Sequence, residues 1–411
     1  KRATYPDTLE SLQESKLIET ENKDFSQTKD IIKKIILKSQ ASISFEPGGQ
    51  LEYSSVPEEN INTLCNKTKE VQNHIDLALK EKDIELLQIG LDPWSKAGKK
   101  KIQLPTKRYL AMDKYFQSIS PYGRQMMQNS ASIHVCLDFG SCEQTLVRRY
   151  LTCQLLTPYI KAIFSYSYFV ENKGRKNRNF RAKIWSNLDK KRTGLIIPPP
   201  PLSTVSRKHC IESYLNFALN APILYSRKKG LQQDLTFRKW IQEKRQKNFP
   251  TLDDFKSHLS LLFPEVRPKN FIEIGSIDSQ ARCWQFIPAL FFQGILYDQT
   301  TLEKTFSLLA DKKKNMTDLL RKSQLGLKNP DIKKTAQKLV ELSLSGNQAL
   351  SKKRNRPLQK SLEEFNEVFT ARGKSPADYL LFIASKKKDK KPSFLDIKKL
   401  ERNWESNKNI L

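Results

Sequence analysis

Residues 41–53, ASISFEPGGQLEY, carry the pattern that decides the fold class of this chain. Ile43 and Phe45 alternate with serines, and the alternation resumes at Leu51 after a Pro-Gly-Gly sequence. Period-two alternation is typical of strands, and the Gly-Gly pair predicts a turn or bulge between them. We therefore expect two neighbouring antiparallel strands at this point of the chain.

Outside residues 41–53, short strand patterns are scattered among longer helical ones. Helix-like spacing of apolar residues covers residues 1–40, 57–82 and 141–168, whereas alternation predicts strands at 84–89 and 132–139. No βαβ rhythm is visible, so the pattern predicts an α+β fold with an antiparallel sheet rather than a doubly wound one. Neither GxGxxG nor GxxxxGK[ST] occurs, which disfavours a Rossmann site and a P-loop.

The chain has 411 residues and a formal net charge of +28. Its 38% hydrophobic content is enough for a packed core. This positive charge would suit a protein that binds nucleic acid, an anionic membrane surface or an anionic small molecule. A lysine-rich composition that has no functional cause would give the same net charge. The basic runs mostly lack interleaved aromatics, so nucleic-acid binding is the least favoured function.

Membrane and metal patterns are also sparse. No apolar run reaches the ~18–20 residues of a membrane-spanning helix, so we expect no membrane partner. The six cysteines form no CxxC pair and the four histidines do not cluster with them, which disfavours a structural zinc site. Scattered cysteines are typical of reduced thiols, and we expect a cytoplasmic protein.

Two carboxylates flank the Pro-Gly-Gly sequence. A bulge there would let Glu46 and Glu52 converge beside Gln50. Carboxylates at close range repel unless a cation lies between them, and Mg²⁺ is the natural candidate. The alternative is a solvated hairpin tip.

Three further segments carry candidate residues. Residues 181–194, RAKIWSNLDKKRTG, combine two arginines with an aromatic in a predicted loop, as an anion site would, although a basic surface loop is the favoured interpretation from the residues alone. His134 lies on a predicted strand, where it could line a pocket or be a hydrogen-bonded core residue. Glu273 lies in an apolar strand and needs a metal or a cation partner, for which Arg267 is the alternative.

Together these segments resemble one family, the plant-type glutamate–cysteine ligases with the related ligases of ergothioneine synthesis. The resemblance extends from about residue 1 to past residue 380. The matching stretches are SISFEPGGQLEYSSVP, IGLDPW, KRYLAMDKYF, SIHVCLDFGS, IWSNLDKKRTG, ALNAPILYS, TLDDFKSHLSLLFPEVRPKNFIEI, FFQGILYD and SPADYLL. EPGGQxE and WxxxDxxRTG at this separation are specific when they occur together.

The resemblance implies a glutamine-synthetase-like fold and an ATP-dependent ligase that joins glutamate to cysteine, the first step of glutathione-type thiol synthesis. It implies ATP and Mg²⁺ as cofactors, small-molecule substrates as partners, and an oligomeric state that the sequence leaves open. The implied roles are metal ligation, nucleotide contact, substrate binding and catalysis. Metal ligation is assigned to Glu46, Glu52 and Glu273, and nucleotide contact to Gln50 and Arg267. Substrate binding is assigned to His134, Trp185 and Arg192, and catalysis to Arg181 and Arg192.

The chain also departs from the family pattern. The family begins with a Glu-x-Glu strand that supplies further metal ligands, and no segment here matches it, so either the chain is a fragment or the protein is incomplete as a catalyst. Gly275 stands where the family has an arginine, and Cys136 where an asparagine is common. A ligase with another amine acceptor, or a degenerate homologue, therefore stays open. We expect one catalytic body at residues 1–345 and a lysine-rich, mostly helical segment of the same domain at 346–411.

Overall fold

The structure is a computed structural model, and it divides into two compact units. The smaller comprises Lys1–Gln88 and Ser95–Ser130, and the larger Ile89–Trp94 and Ala131–Leu411. The residues that the structure describes are 3–14, 18–22, 34–95, 102–170, 176–226, 230–243, 249–350 and 356–406.

The smaller unit combines four helices with a four-stranded sheet. The strands pair antiparallel in sequence order. The elements are α1 Tyr5–Glu14, β1 Ile18–Asn22, β2 Lys34–Leu37, β3 Ser42–Phe45, β4 Leu51–Ser54, α2 Ile61–Lys80, α3 Lys107–Ile119 and α4 Gly123–Asn129.

One face of this sheet builds the core of the smaller unit. Ile43 and Phe45 of β3 are buried together with Leu9 of α1 and Leu79 of α2. Tyr5 packs its ring edge against Phe45 at 4.9 Å between centroids. Because strand side chains alternate, the other face of β3 and β4 is left for polar residues.

The larger unit contains short strands and twelve helices among the described residues. The strands are β5 Ser132–Leu137, β6 Phe169–Val170, β7 Lys176–Asn177, β8 Thr193–Gly194, β9 Pro222–Ser226, β10 Gly230–Thr236, β11 Phe263–Pro264, β12 Val266–Pro268 and β13 Ile272–Asp278. The helices are α5 Glu143–Ile163, α6 Phe180–Ser186, α7 Arg207–Asn220, α8 Phe237–Gln242, α9 Leu252–Leu259, α10 Ile287–Leu296, α11 Gln299–Ala310, α12 Met316–Ser323, α13 Pro330–Leu350, α14 Arg356–Phe365, α15 Pro376–Ser385 and α16 Phe394–Glu405.

A three-stranded antiparallel sheet of order β12-β13-β5 is the largest sheet of this unit. It packs against α5, which is buried along almost its whole length. Ile272, Ile274 and Ile277 of β13 are fully buried. The sheet therefore has one apolar face toward the helices and one face that carries polar groups.

The structure confirms the mixed α+β class and the two strands at 41–53. The strand expected at 84–89 is wrong, since these residues form no strand. The helix expected over 1–40 is right only for α1, because Lys34–Leu37 pairs with β3 as a strand. The strand β1 contradicts it as well, and residues 1–2, 15–17 and 23–33 lie outside the described part of the chain. One pairing, β11 with β8, is parallel rather than antiparallel.

The expected division at residue 345 stays a prediction. The described helices α14, α15 and α16 belong to the larger unit, and α14 packs against α10 and α13.

Candidate active site

Glu46 and Glu52 lie on the polar face of the β3–β4 hairpin in the smaller unit. Ser44 is directly opposite Glu52 in the register, and Glu46 follows Ser44 by two residues. Since every second strand residue faces the same way, both carboxylates project from one side. Both side chains are half-buried. The structure thus brings together the two carboxylates that the sequence singled out.

The Pro-Gly-Gly turn sets this geometry. The Glu46 N–H donates to the carbonyl of Gln50 at 2.9 Å, and the Gly49 N–H donates back to Glu46 at 2.7 Å. Gly49 has a φ of 78°, which favours glycine. A Cβ on Gly48 would lie 2.5 Å from the carbonyl oxygen of Gln128, so a side chain there has no room.

Gln50 is held by backbone groups of the smaller unit. Its Nε2 donates to the carbonyl oxygens of Met127 at 3.3 Å and Ser130 at 3.0 Å, and its Oε1 accepts from the Gly48 N–H at 3.0 Å. The amide therefore braces the turn. Its predicted contact with nucleotide phosphates stays a prediction.

Tyr109 of α3 is a neighbour of both carboxylates that the sequence reading missed. Burial raises the pKa of its phenol, and the negative charges of Glu46 and Glu52 raise it further. The only sequence signal was its place inside KRYLAMDKYF. The shift shows that Tyr109 lies within electrostatic range of both carboxylates and of the cation Arg108, which lowers its pKa.

Glu273 lies on the polar face of the β12-β13-β5 sheet in the larger unit. It stands opposite Arg267 on β12 and opposite Cys136 on β5. His134 lies two residues from Cys136, so it shares this face. A Cβ built on Gly275 would be 3.5 Å from the His134 ring, an ordinary contact distance. The structure thus brings together three of the predicted site residues.

Two cations neutralise Glu273. Its Oε1 pairs with Nη2 of Arg267, and its Oε2 lies 2.5 Å from Nζ of Lys269. Burial alone would raise the pKa of Glu273, but Arg267, with smaller contributions from His134 and Lys269, holds it below the ordinary value. This is the cation pairing that the sequence offered as the alternative to a metal. In this conformation Glu273 does not fit a metal, since ligation would require displacement of a cation.

His134 is uncharged at neutral pH. Its ring remains accessible to solvent, yet surrounding protein desolvates it enough to lower its pKa to about 4. Its Nε2 lies 3.2 Å from Oγ of Ser132. A neutral imidazole can exchange hydrogen bonds with an amine or a hydroxyl.

Arg181 and Trp185 lie on α6, not in a loop as the sequence predicted. Asn179 caps this helix, because its side chain accepts the Ala182 N–H at 2.7 Å. The guanidinium of Arg181 stacks on the Trp185 ring at 4.4 Å, and its Nη2 donates to the Gly275 carbonyl at 2.8 Å. Arg181 is thus joined to the strand that carries Glu273.

Arg192 is fully buried in the larger unit. Its Nε lies 3.3 Å from Oδ2 of Asp189, its Nη1 donates to the carbonyl of Leu261 at 3.2 Å, and its Nη2 donates to the carbonyl of Pro222. These contacts support a positioning role for Arg192. Its predicted contact with substrate stays a prediction.

The described part of the chain contains neither a metal-ligand cluster nor a membrane-spanning helix. There, no group of three or more His, Cys, Asp or Glu side chains is placed to hold a metal ion. Nor does any helix within those same residues have the length and apolar character needed to cross a membrane. All six cysteines are described, and no disulfide joins them.

Comparisons with known proteins agree with these motifs. The family model described as Glutamate-cysteine ligase family 2 matches residues 11–388. Three curated relatives are named glutamate–cysteine ligase, chloroplastic. The Medicago truncatula protein is 32% identical over 75% of this chain and 62% of its own length. The Nicotiana tabacum protein is 31% identical over 84% of this chain and 66% of its own length. The Arabidopsis thaliana protein is 30% identical over 75% of this chain and 60% of its own length. The chain thus spans slightly less than two thirds of these relatives.

Proposed function

The chain belongs to glutamate-cysteine ligase family 2, and on that premise we propose that it is an ATP-dependent ligase that joins the γ-carboxylate of glutamate to the amine of cysteine. The observation that carries this proposal is the EPGGQLE hairpin, which projects Glu46 and Glu52 from one face within the matched region. The activity is a proposal for the whole enzyme, since the relatives are longer than this chain.

The proposed reaction has two steps. An oxygen of the glutamate γ-carboxylate attacks the γ-phosphorus of ATP, which releases ADP and forms γ-glutamyl phosphate. The α-amine of cysteine then attacks the acyl carbon, phosphate leaves, and the amine loses a proton as the amide forms. Neither step needs a protein nucleophile, so positioning and charge stabilisation supply the catalysis.

The proposed metal site rests on the hairpin. Glu46 and Glu52 would hold Mg²⁺, with Gln50 close to the nucleotide phosphates. Bound there, Mg²⁺ would neutralise charge on the phosphoryl oxygens. The family also assigns Glu273 to the metal, but Arg267 and Lys269 occupy it in this structure.

The arginines would carry the rest of the charge stabilisation. Guanidinium groups suit carboxylates and phosphates because their donors form a planar fork. We assign Arg181 and Arg267 to the anionic groups of the reactants, and Arg192 to the shape of the loop around it. His134 and Trp185 would line the substrate side, where the neutral imidazole can accept a hydrogen bond from an amine.

A second candidate is a ligase of the same family with another amine acceptor. Gly275 favours it, because the missing side chain leaves space next to the His134 ring. We further propose that the small antiparallel sheets belong to a glutamine-synthetase-like fold, and that the protein works in the cytoplasm, although the relatives named above are chloroplastic.

One assay tests both candidates. The full natural chain is incubated with ATP, Mg²⁺ and glutamate, and with cysteine or a panel of other amines, and phosphate release and γ-glutamyl products are measured. Product with cysteine supports the first candidate, and product with another amine supports the second. If no amine gives product while the protein is folded, the proposal is wrong.

A further inference from the structure

Asp278, the last residue of β13, is a buried carboxylate that sequence reading missed. Its side chain is almost completely buried, and its Oδ2 accepts the Tyr166 N–H at 2.8 Å. Its Oδ1 lies 3.7 Å from Nη1 of Arg181. An unpaired buried carboxylate would cost several kcal/mol. Arg181 is the main charged partner of this carboxylate in the core, and Ser167, the Tyr166 N–H and Lys161 contribute further.

Arg181 depends on Asp278 in the same way. It is 5% exposed, and burial lowers its pKa while burial raises the pKa of Asp278. The positive charge of Arg181 opposes the effect of burial on the pKa of Asp278, and the negative charge of Asp278, with a smaller contribution from Glu265, opposes the effect of burial on the pKa of Arg181. Besides Asp278, the guanidinium contacts the Gly275 carbonyl and the Trp185 ring.

One donor of this guanidinium is unused. Among the described residues, Nε of Arg181 and Oδ1 of Asp278 are both buried without a hydrogen-bond partner, so the pair is joined by charge rather than by a hydrogen bond. Since an unsatisfied buried donor costs free energy, such a group in a native protein calls for an explanation. A ligand acceptor close to Arg181 would satisfy it.

Gly90 lies close to the Asp278 side chain and limits the space around it. A Cβ on Gly90 would lie 2.7 Å from Cβ and Cγ of Asp278. The Gly90 backbone is fixed, because its N–H donates to the Tyr166 carbonyl at 3.1 Å and its carbonyl accepts the Ala131 N–H at 3.2 Å. Asp278 therefore has no room on that side to turn away from Arg181.

We propose that Asp278 is a positioning residue, which fixes the guanidinium of Arg181 against the Gly275 carbonyl and leaves its Nε directed to an anionic group of the substrate. The substrate part rests on the proposed function. The pairing of Asp278 with Arg181 does not, and it can be tested separately.

Rescue by free guanidinium tests the pairing. Arg181→Ala removes the cation but leaves Asp278 and the Gly275 carbonyl, which together form a guanidinium-shaped site. About 20 mM guanidinium chloride should raise the Tm of this variant by about 2 °C, as a ligand bound only to the folded state does. It should also restore turnover at least about fivefold, since positioning is regained. The double variant Arg181→Ala/Asp278→Asn should show neither effect.

Arg124→Ala is the matched control. Arg124 forms a two-point ion pair with Asp113 in the smaller unit, so guanidinium should leave the turnover of this variant unchanged even where it binds beside Asp113. If the Arg181→Ala/Asp278→Asn variant does not fold, Arg181→Ala/Gly90→Ala replaces it, because the added methyl displaces the carboxylate.

The two measurements separate the two claims. An equal Tm rise in the double variant, or none in a folded Arg181→Ala protein, overturns the role of Asp278 in holding the cation. A Tm rise limited to Arg181→Ala, with no rescue of turnover in an active enzyme, overturns the positioning role. Absence of turnover in the wild-type chain overturns the proposed function, while the Tm result still decides the pairing.

Discussion

Glu52 and Glu273 both lie on strands beside an apolar core, yet their surroundings differ. Glu52 is half-buried on the polar face of a hairpin, with Glu46 on the same side. Glu273 is 5% exposed and touches the cations of Arg267 and Lys269. The comparison shows that a strand position alone does not reveal how deeply a carboxylate is buried. For Glu273, the charges of Arg267 on the neighbouring strand and of Lys269 just after it accompany that burial.

The largest effect is expected for substitutions of the two hairpin carboxylates, Glu46 and Glu52. Glu46→Gln or Glu52→Gln should lower kcat by about 100-fold or more, as expected on loss of a preorganised electrostatic contact. The free energy of unfolding should change by less than about 0.5 kcal/mol, because both side chains are half-exposed. Turnover and urea unfolding are measured beside Glu59→Gln, an exposed control in the same unit. Unchanged turnover in both variants would remove the hairpin from the active site.

Glu273→Gln tests the buried carboxylate of this comparison. The substitution leaves Arg267 and Lys269 facing each other without a counter-charge, so we expect a loss of about 2 kcal/mol in the free energy of unfolding, since Lys269 is partly exposed. The double variant Arg267→Met/Glu273→Gln should recover part of this loss, because one of the two cations is gone. The midpoints of urea unfolding curves measure the stability of the single and the double variant. A loss no larger than that of Glu52→Gln would show that the two carboxylates do not differ as described.

His258 extends the comparison to a group that the fold keeps uncharged. It is buried, its Nε2–H donates to the Ala218 carbonyl at 2.8 Å, and burial lowers its pKa to about 4. The unfolded chain binds this proton near pH 6.5 and the folded chain only near pH 4, so stability falls as pH drops between these values. The expected loss between pH 7 and pH 5 is about 2 kcal/mol.

Urea unfolding at a series of pH values measures this effect. His258→Gln should flatten the curve between pH 6.5 and pH 4, whereas the exposed His74→Gln should not. An identical acid slope in wild type and His258→Gln would contradict the assignment.

Gly275→Ala should have the smallest effect. Its added methyl meets the His134 ring at an ordinary 3.5 Å, so stability should change by less than about 0.5 kcal/mol. Gly294→Ala is the contrast, because its Cβ would overlap the Ser343 carbonyl oxygen. If Gly275 provides space for the acceptor amine, KM for that amine should rise a few-fold with kcat unchanged. A stability loss equal to that of Gly294→Ala would show that the space does not exist.

Local patterns were predictable from the sequence. The hairpin at 41–53 was correct because alternation and a Gly-Gly turn are encoded within a few residues. Residues 34–37 were assigned to a helix because consecutive isoleucines fit both periods, and only pairing with β3 makes them a strand. The helical position of Arg181 depends on the cap at Asn179, which was not weighed.

The charges around the candidate residues were less predictable. Arg267 was named as a partner of Glu273, but Lys269 was not, although it lies only four residues away. Asp278 follows the same logic as Glu273, an acid in an apolar strand, and could have been named on that ground. Its pairing with Arg181 joins distant parts of the chain, and no local pattern predicts it.

The division of the chain has a consequence for its synthesis on the ribosome. Ile89–Trp94 belongs to the larger unit although residues of the smaller unit precede and follow it. Gly90 bonds to Tyr166, and Tyr166 in turn bonds to Asp278, which is 112 residues further along. At 5–20 residues per second, the nascent chain must wait about 6–22 s between the emergence of Tyr166 and that of its carboxylate partner. During that interval a factor that shields nascent chains should raise the yield of folded protein.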